Sequence, residues 1–452
     1  MSLTAATASP LESALLDAVQ AAHFEQVIDF GAGNESHPVK TRLNQAAPRV
    51  AHPPNVNVAV IQLDPQGRMV DRAYVLLSRD YPKGLIVPLE ADRGAGSVRF
   101  LRWNIERSDG GTFGADGARL STKGWEDGPA LTAQEDLLSG RPSAPYRFMA
   151  PYPASLFKSL IAFHLMRMVD AGKITLDRQY EYAVSGAAPE RRRVRDWIEP
   201  MITVSDNHAT SAMLKLLHDF KEIEALNRQF RDWNLGTLQI ESTNPLDGRG
   251  WRTDRITMTA YDAVRLFWLI DGGAGVLWRG ADGRPVSADV LSDSSRFFLK
   301  QLLLDQGFND VLSTANFPGA PHVAPGIPHG VPERWINPTN GHVYLEGTDF
   351  GVDVRESNRR AEVTFAHKTG LTFNYASDAG IVRSLPGQRY RHYVIALIAN
   401  LGHRYADEVF ALRKTFPAFD AVSPLAYTQR IPGLGRAVDE ALCKLSAARI
   451  NP

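Results

Sequence analysis

The sequence predicts an α/β chain of the α+β type, with an antiparallel sheet flanked by helices and an all-helical subdomain beside it. Three observations carry this. Strand patterns come early, over Asn55 to Ser78; helical periodicity takes over at Ser155; strand patterns return from "AEVTFAHKTG" to "YRHYVIALIANL". Strands, then helices, then strands is the order of a chain whose two ends complete one sheet while its middle forms a separate helical layer.

The elements follow in order. Leu11 to Phe30 reads as an amphipathic helix. "NVNVAVIQLDPQGRMVDRAYVLLS" reads as two strands around the turn "DPQG". From Arg79 to about Pro145, Gly, Asp and Arg are frequent and periodicity is poor; this is an insertion with loops, and "RFLRWNIE" is one more strand within it. "SLFKSLIAFHLMRMVDAG" has Ile161, Leu165 and Met168 at helical spacing and ends on Gly172, a C-cap signal. "VRDWIEPMITVSDNHATSAMLKLLHDF" gives two short helices broken at "SDN", and "ITMTAYDAVRLFWLI" a further helix opened by a Thr cap. Asp271 to Arg360 holds the helix "SSRFFLKQLLLDQ" and a Pro/Gly-rich loop, and a terminal helix is expected over about Ala437 to Ala448.

Totals narrow the function classes. The 452 residues suit one large domain with insertions or two to three domains. Lys+Arg and Asp+Glu are 50 each, which argues against nucleic acid or an acidic membrane surface as partner. The 12 histidines show no HExxH or CxxC spacing, so no structural metal is expected, and the motifs below need no metal and no organic cofactor. The one cysteine, Cys443, allows no intramolecular disulfide. The most apolar run, Leu160 to Val169, is short and carries His164 and Arg167, so no membrane span is expected. The N-terminal residues lack a basic start followed by an apolar block, so no signal-peptide pattern is read there.

Chemistry begins at "PASLFK". Ser155 and Lys158 are three apart, which on a helix brings their side chains within touching distance. A lysine buried near a second cation loses basicity enough to serve as base for a serine hydroxyl. Read alone, Ser155 is a cap and Lys158 a solvated cation. Read alone, "SDN" (Ser205, Asp206, Asn207) is a helix cap and "KTG" (Lys368, Thr369, Gly370) a strand end. The trio in this order, each in its own context of helix start, helix break and strand, outweighs those readings. His208 and His367 flank the second and third triplets and read as neutral histidines packed beside the cleft; the aromatic stretches "RFLRW" and "WRTDRITMTAYDAVRLFW" read as core.

On these residues the chain resembles the class A β-lactamase and serine penicillin-recognising family, from about Asn55 to Leu401. The likeness extends to "MRMVDAGKITLD", "MITVSDNHATSAMLKLL", "ITMTAYDAVRLFWLI" and "HKTGLTFNYASDAGIV". It implies a β-lactamase/transpeptidase-like catalytic domain over 51–452 behind an N-terminal helical extension over 1–50. The helical subdomain spans about 155–300, with insertions at about 79–146 and 280–360. The resemblance also implies the roles. Ser155 is acylated; Lys158 is base or proton relay; Ser205 passes a proton to the leaving nitrogen. Asn207 orients Lys158 and meets a substrate amide. Lys368 holds Lys158 neutral and attracts an anionic substrate, Thr369 binds its carboxylate, and the N–H groups of Ser155 and Leu371, just past Gly370, form the oxyanion site.

Deacylation in that family uses a Glu on the loop before the next helix, with an Asn shortly after. Here the loop reads "IESTNPLDGRGWRTD": Glu241 is the candidate base, three residues from Asn244 where the family's spacing is four, with Asp247 and Asp254 as further carboxylates. The family's basic residue on the following strand has no clear counterpart, the positions being Ala379 and, further along, Arg383. The expected activity is β-lactam hydrolysis on a small amide or ester substrate, in a periplasmic or secreted setting. Alternatives are a peptidase, amidase or esterase of the same fold, a sensor that stays acylated, and an inactive scaffold.

Overall fold

Both ends of the chain build one sheet. A computed structural model describes residues 8–29, 49–50, 52–104, 133–184, 186–408 and 428–450. Its main strands are β1 (Val56–Leu63), β2 (Met69–Leu77), β3 (Leu85–Ile86), β4 (His342–Leu345), β5 (Thr348–Asp353), β6 (Val363–Leu371), β7 (Ala376–Ser384) and β8 (His392–Ala399). Six of them form an antiparallel sheet in the order β6-β7-β8-β1-β2-β3, so early β1 pairs with late β8 (Ala59 opposite Ala396). β1 is buried along its whole length because both faces of the sheet are covered. Val56, Val58 and Val60 pack towards the terminal helices, and Ala59, Ile61 and Leu63 towards the inserted ones.

The helices that matter below are α1 (Pro10–Ala21), α2 (Lys158–Asp170), α3 (Val194–Thr203), α4 (Asn207–Asp219), α5 (Ala260–Asp271), α6 (Asp293–Leu304) and α7 (Arg430–Ile450). α1 opens on a capping box between Ser9 and Glu12, and its Leu11, Leu15 and Val19 join the core under α7. It ends well short of Phe30, which lies outside the described residues. His23 takes φ 49°, a short 3-10 turn follows, and Ile28–Asp29 pair with Tyr405–Ala406 instead. Phe24, Val27 and Ile28 remain buried, so the apolar pattern continued while the backbone changed.

Three further expectations shift. "RFLRWNIE" forms a strand only over Val98–Leu101, paired in parallel with Tyr146–Met149 outside the main sheet; Ile105 and Glu106 lie outside the described residues. Thr259 is the N-cap residue of α5, but its hydroxyl meets Thr237 (2.9 Å) rather than the helix N–H groups. α7 starts at Arg430, earlier than expected, because Pro432 sits in its first turn, where a missing N–H costs no hydrogen bond. The segment after α6 builds a small core of its own from Phe317, Val331, Val343, Leu345, Phe350 and Val354, on which the β4–β5 hairpin rests. Among the described residues, no helix is long and apolar enough to cross a membrane.

Candidate active site

Ser155 lies in a single 3-10 turn, Ala154–Phe157, that leads straight into α2. The turn is held from behind: the Ser377 hydroxyl of β7 donates to the Pro153 carbonyl (2.5 Å). Ala154 takes φ 46°, a costly conformation for a residue with a side chain, and is fully buried. β6 runs against this turn. A Cβ at Gly370 would sit 2.6 Å from the backbone nitrogen of Ser155, so only glycine lets the strand approach so closely.

Lys158 and Lys368 are both fully buried. The Lys158 ammonium donates to the Asn207 side-chain oxygen (2.8 Å), the Ser205 carbonyl (2.5 Å) and the Ser205 hydroxyl (3.2 Å). Lys368 donates to the same hydroxyl (3.0 Å) and to the Thr369 carbonyl (2.8 Å). Ser205 thus stands between two lysines, with its backbone at φ 60° in the break between α3 and α4. Asp206 caps α4 through Ala209 N–H (2.7 Å). Burial, and then the charge of Lys368, hold Lys158 well below the usual lysine range, with Asp206 opposing. Burial brings Lys368 down to about 7 against the pull of Asp378 and Asp310.

A cavity of about 330 Å³ opens on this cluster. Ser155, Ser205, Asn207, Thr369 and Leu371 line it together. The expected site residues Ser155, Lys158, Ser205, Asn207, Lys368, Thr369, Gly370 and Leu371 therefore converge. Glu241 does not join them. Arg102 binds its carboxylate (3.1 Å), Arg255 stands 3.8 Å away, and it lines a different cavity with Arg93 and Arg141. Asp254 pairs with Arg252 (2.8 Å), and Asp247 accepts the Arg249 N–H (3.0 Å) in its own turn. What the loop sets against the Ser155 turn is Trp251: its ring meets Phe157 edge-on (5.4 Å) and lies 5.9 Å from the Lys158 side-chain nitrogen.

The flanking histidines are also tied. His208 meets Glu190 (3.1 Å) on an exposed face, while buried His367 spans Asp378 (2.8 Å) and Asn309 (2.9 Å). Arg383 is held by Asp271 (2.8 Å). His403 lines the cavity, lowered to about 4 by burial. Sequence reasoning missed further walls, which come from the segment after α6: Phe308, Asp310, Glu346, Thr348 and Phe350. Alternation in "HVYLEGTDFGVD", broken by Glu-Gly, was the signal for the hairpin. Among the described residues, no group of three or more His, Cys, Asp or Glu could hold a metal ion.

Comparison with known proteins adds to this. A family model described as "Beta-lactamase enzyme family" matches residues 150–409, more than half of the chain. No curated protein matches. Among solved structures, the chain is similar to an acyl-enzyme complex of a PBP-A variant with penicillin G, at 20% identity over 65% of this chain and 83% of that one, with TM-score 0.38. It is similar to an ancestral class A β-lactamase (GNCA) at 18% identity, over 64% and 86%, with TM-score 0.38. A β-lactamase from Chitinophaga pinensis gives 15% identity, over 66% and 86%, with TM-score 0.38.

Proposed function

The chain belongs to the β-lactamase enzyme family of serine hydrolases, and from that premise we propose that it cleaves a β-lactam or related amide through an ester on Ser155. The observation that carries this is the placing of Lys158: buried, held below its usual basicity, and fixed by Ser205 and Asn207 at the start of the helix that follows Ser155. A neutral amine there takes the serine proton as Oγ attacks the carbonyl carbon. The N–H groups of Ser155 and Leu371 stabilise the oxyanion. The C–N bond then breaks, and Ser205, bonded to both lysines, hands a proton to the departing nitrogen. Thr369 and Lys368 receive an anionic group of the substrate, and the setting is periplasmic or secreted.

Water must then hydrolyse the ester. The loop over 241–255 supports a second reading, an acyl-enzyme that turns over slowly or persists as a signal, because it presents Trp251 to Lys158 while Glu241 is bound elsewhere. Intact mass after mixing with a chromogenic β-lactam, alongside a p-nitrophenyl ester, tests both. Turnover of the β-lactam supports hydrolysis; a lasting adduct on Ser155 supports the second reading; ester-only turnover favours an esterase or peptidase; no reaction with either removes the proposal.

A further inference from the structure

The inserted hairpin gives this cleft a wall whose chemistry suits a cation. Val204 and Phe308 pack against the small core that carries Phe350, and all three line the cavity. Val204 adjoins Ser205, the proposed proton donor to the leaving group, so the hairpin stands on the leaving-group side. Phe350 is fixed by stacking on Phe317 (6.0 Å between centroids). Glu346 lies at the tip, lines the same cavity, and has no ion-pair or hydrogen-bond partner among the described residues. Apolar and aromatic walls with the free Glu346 carboxylate at the rim, and the buried Asp310, raised to about 7 by burial and Asp378, on the same cavity, are the chemistry that recognises alkylammonium groups.

The backbone says the same. Leu345 and Thr348 pair across a two-residue turn with Glu346 at φ 47° and Gly347 at φ 81°. A turn with both central residues at positive φ favours Asn-Gly or Asp-Gly, and glutamate is a poor first residue for it. Turn stability therefore does not account for this side chain.

We propose that the β4–β5 hairpin makes the cleft select acyl donors whose leaving portion is an alkylammonium, with Glu346 as its counter-ion. This rests on the reading that Ser155 is acylated. Acetylthiocholine and its neutral isostere, S-(3,3-dimethylbutyl) thioacetate, differ only in that charge. In either, the bond from Ser155 Oγ to the acyl carbon forms as the C–S bond breaks, and the serine proton ends on the leaving sulfur. Thiol release should favour the cation by about tenfold in kcat/KM, mainly through KM, and the preference should fall with salt. Glu346→Asn, which suits the turn, should bring the ratio towards one with Tm unchanged or higher, and Glu346→Lys should invert it. Equal rates on the two thioesters in the wild type, or a preference that survives Glu346→Asn, would overturn the proposal alone. If neither thioester turns over or adds an acetyl mass to Ser155 while the β-lactam or the p-nitrophenyl ester does, this proposal alone falls; if none of the four acylates Ser155, the acyl-serine reading falls and the proposal with it.

Discussion

Two regions meet at Lys158. On one side, Lys158 and Lys368 are buried, the backbone is strained at Ala154 and Ser205, and hydrogen bonds from both lysines converge on the half-buried Ser205 hydroxyl. On the other, the loop over 241–255 satisfies its carboxylates with its own arginines and Arg102, and offers the site an indole ring. The first arrangement suits making an acyl-serine. The second contains nothing that would activate water against it. On the proposed chemistry, formation and hydrolysis of the ester would be set by different elements of this cleft.

The largest effect should come from Ser155→Ala. Acylation by any reactive β-lactam or activated ester should fall by several orders of magnitude. An alanine variant that still gains an acyl mass would put the nucleophile elsewhere and dissolve the comparison.

The two lysines come next, and they should fail differently. Lys158→Ala removes the proposed proton acceptor and should lower kcat by about 10²–10⁴. Lys368→Met should raise KM for anionic substrates, with a salt-dependent component, and should also change stability with pH. A lysine lowered from 10.5 to about 7 by folding carries a destabilisation that is complete below pH 7 and fades as pH rises towards 10.5. The unfolded chain binds the extra proton in that window, so stability rises with pH there. Lys368→Met should therefore stabilise the fold at pH 6–7 and do little near pH 10. Melting curves at the two pH values decide it; a gain independent of pH would mean that packing, not charge, is responsible.

Trp251→Ala sharpens the boundary between the two regions. The ring shields Lys158 and packs on Phe157. Its loss should cost about 1–3 kcal/mol of stability. Water reaching Lys158 would raise its proton affinity, so the rise of the acylation rate with pH should move to higher pH. A pH profile that stays in place would show that the depressed basicity comes from Lys368 and the rest of the protein matrix.

Much of the acylating half was legible because each triplet is encoded locally. A serine at a helix start, a polar break between two helices and a Lys-Thr-Gly strand end each carry their own backbone pattern. That both ends of the chain complete one sheet was legible too, and the burial of β1 and β8 along their whole length fits their central places in it. The rest depends on contacts that sequence spacing does not report. Nothing near Glu241 reveals that Arg102, more than a hundred residues earlier, holds it. Phe308, Asp310 and Glu346 belong to an insertion whose Pro/Gly-rich middle obscured the hairpin after it. Asp310, pushed up to about 7 by burial and by Asp378, owes that shift wholly to tertiary neighbours.

The smallest expected effect is the most informative about the loop. Glu241 is the only glutamate between 239 and 257, and the family's pattern makes it the first candidate for activating water. Its carboxylate is instead an ion-pair partner of Arg102, facing a cavity lined by Arg93, Arg141 and Tyr261. A general base must come within about one water of the ester it attacks. Any β-lactam turnover should then show a burst of product followed by a slower steady rate, as the ester on Ser155 accumulates. Glu241→Gln should leave both the burst and the steady rate within about twofold, because the amide keeps a hydrogen bond to Arg102 and a half-exposed ion pair contributes about 1 kcal/mol at most. Fast wild-type turnover without a burst, together with acyl-enzyme trapped by Glu241→Gln, would mean that the loop rearranges on acylation and carries Glu241 to the ester, leaving the two regions equally equipped.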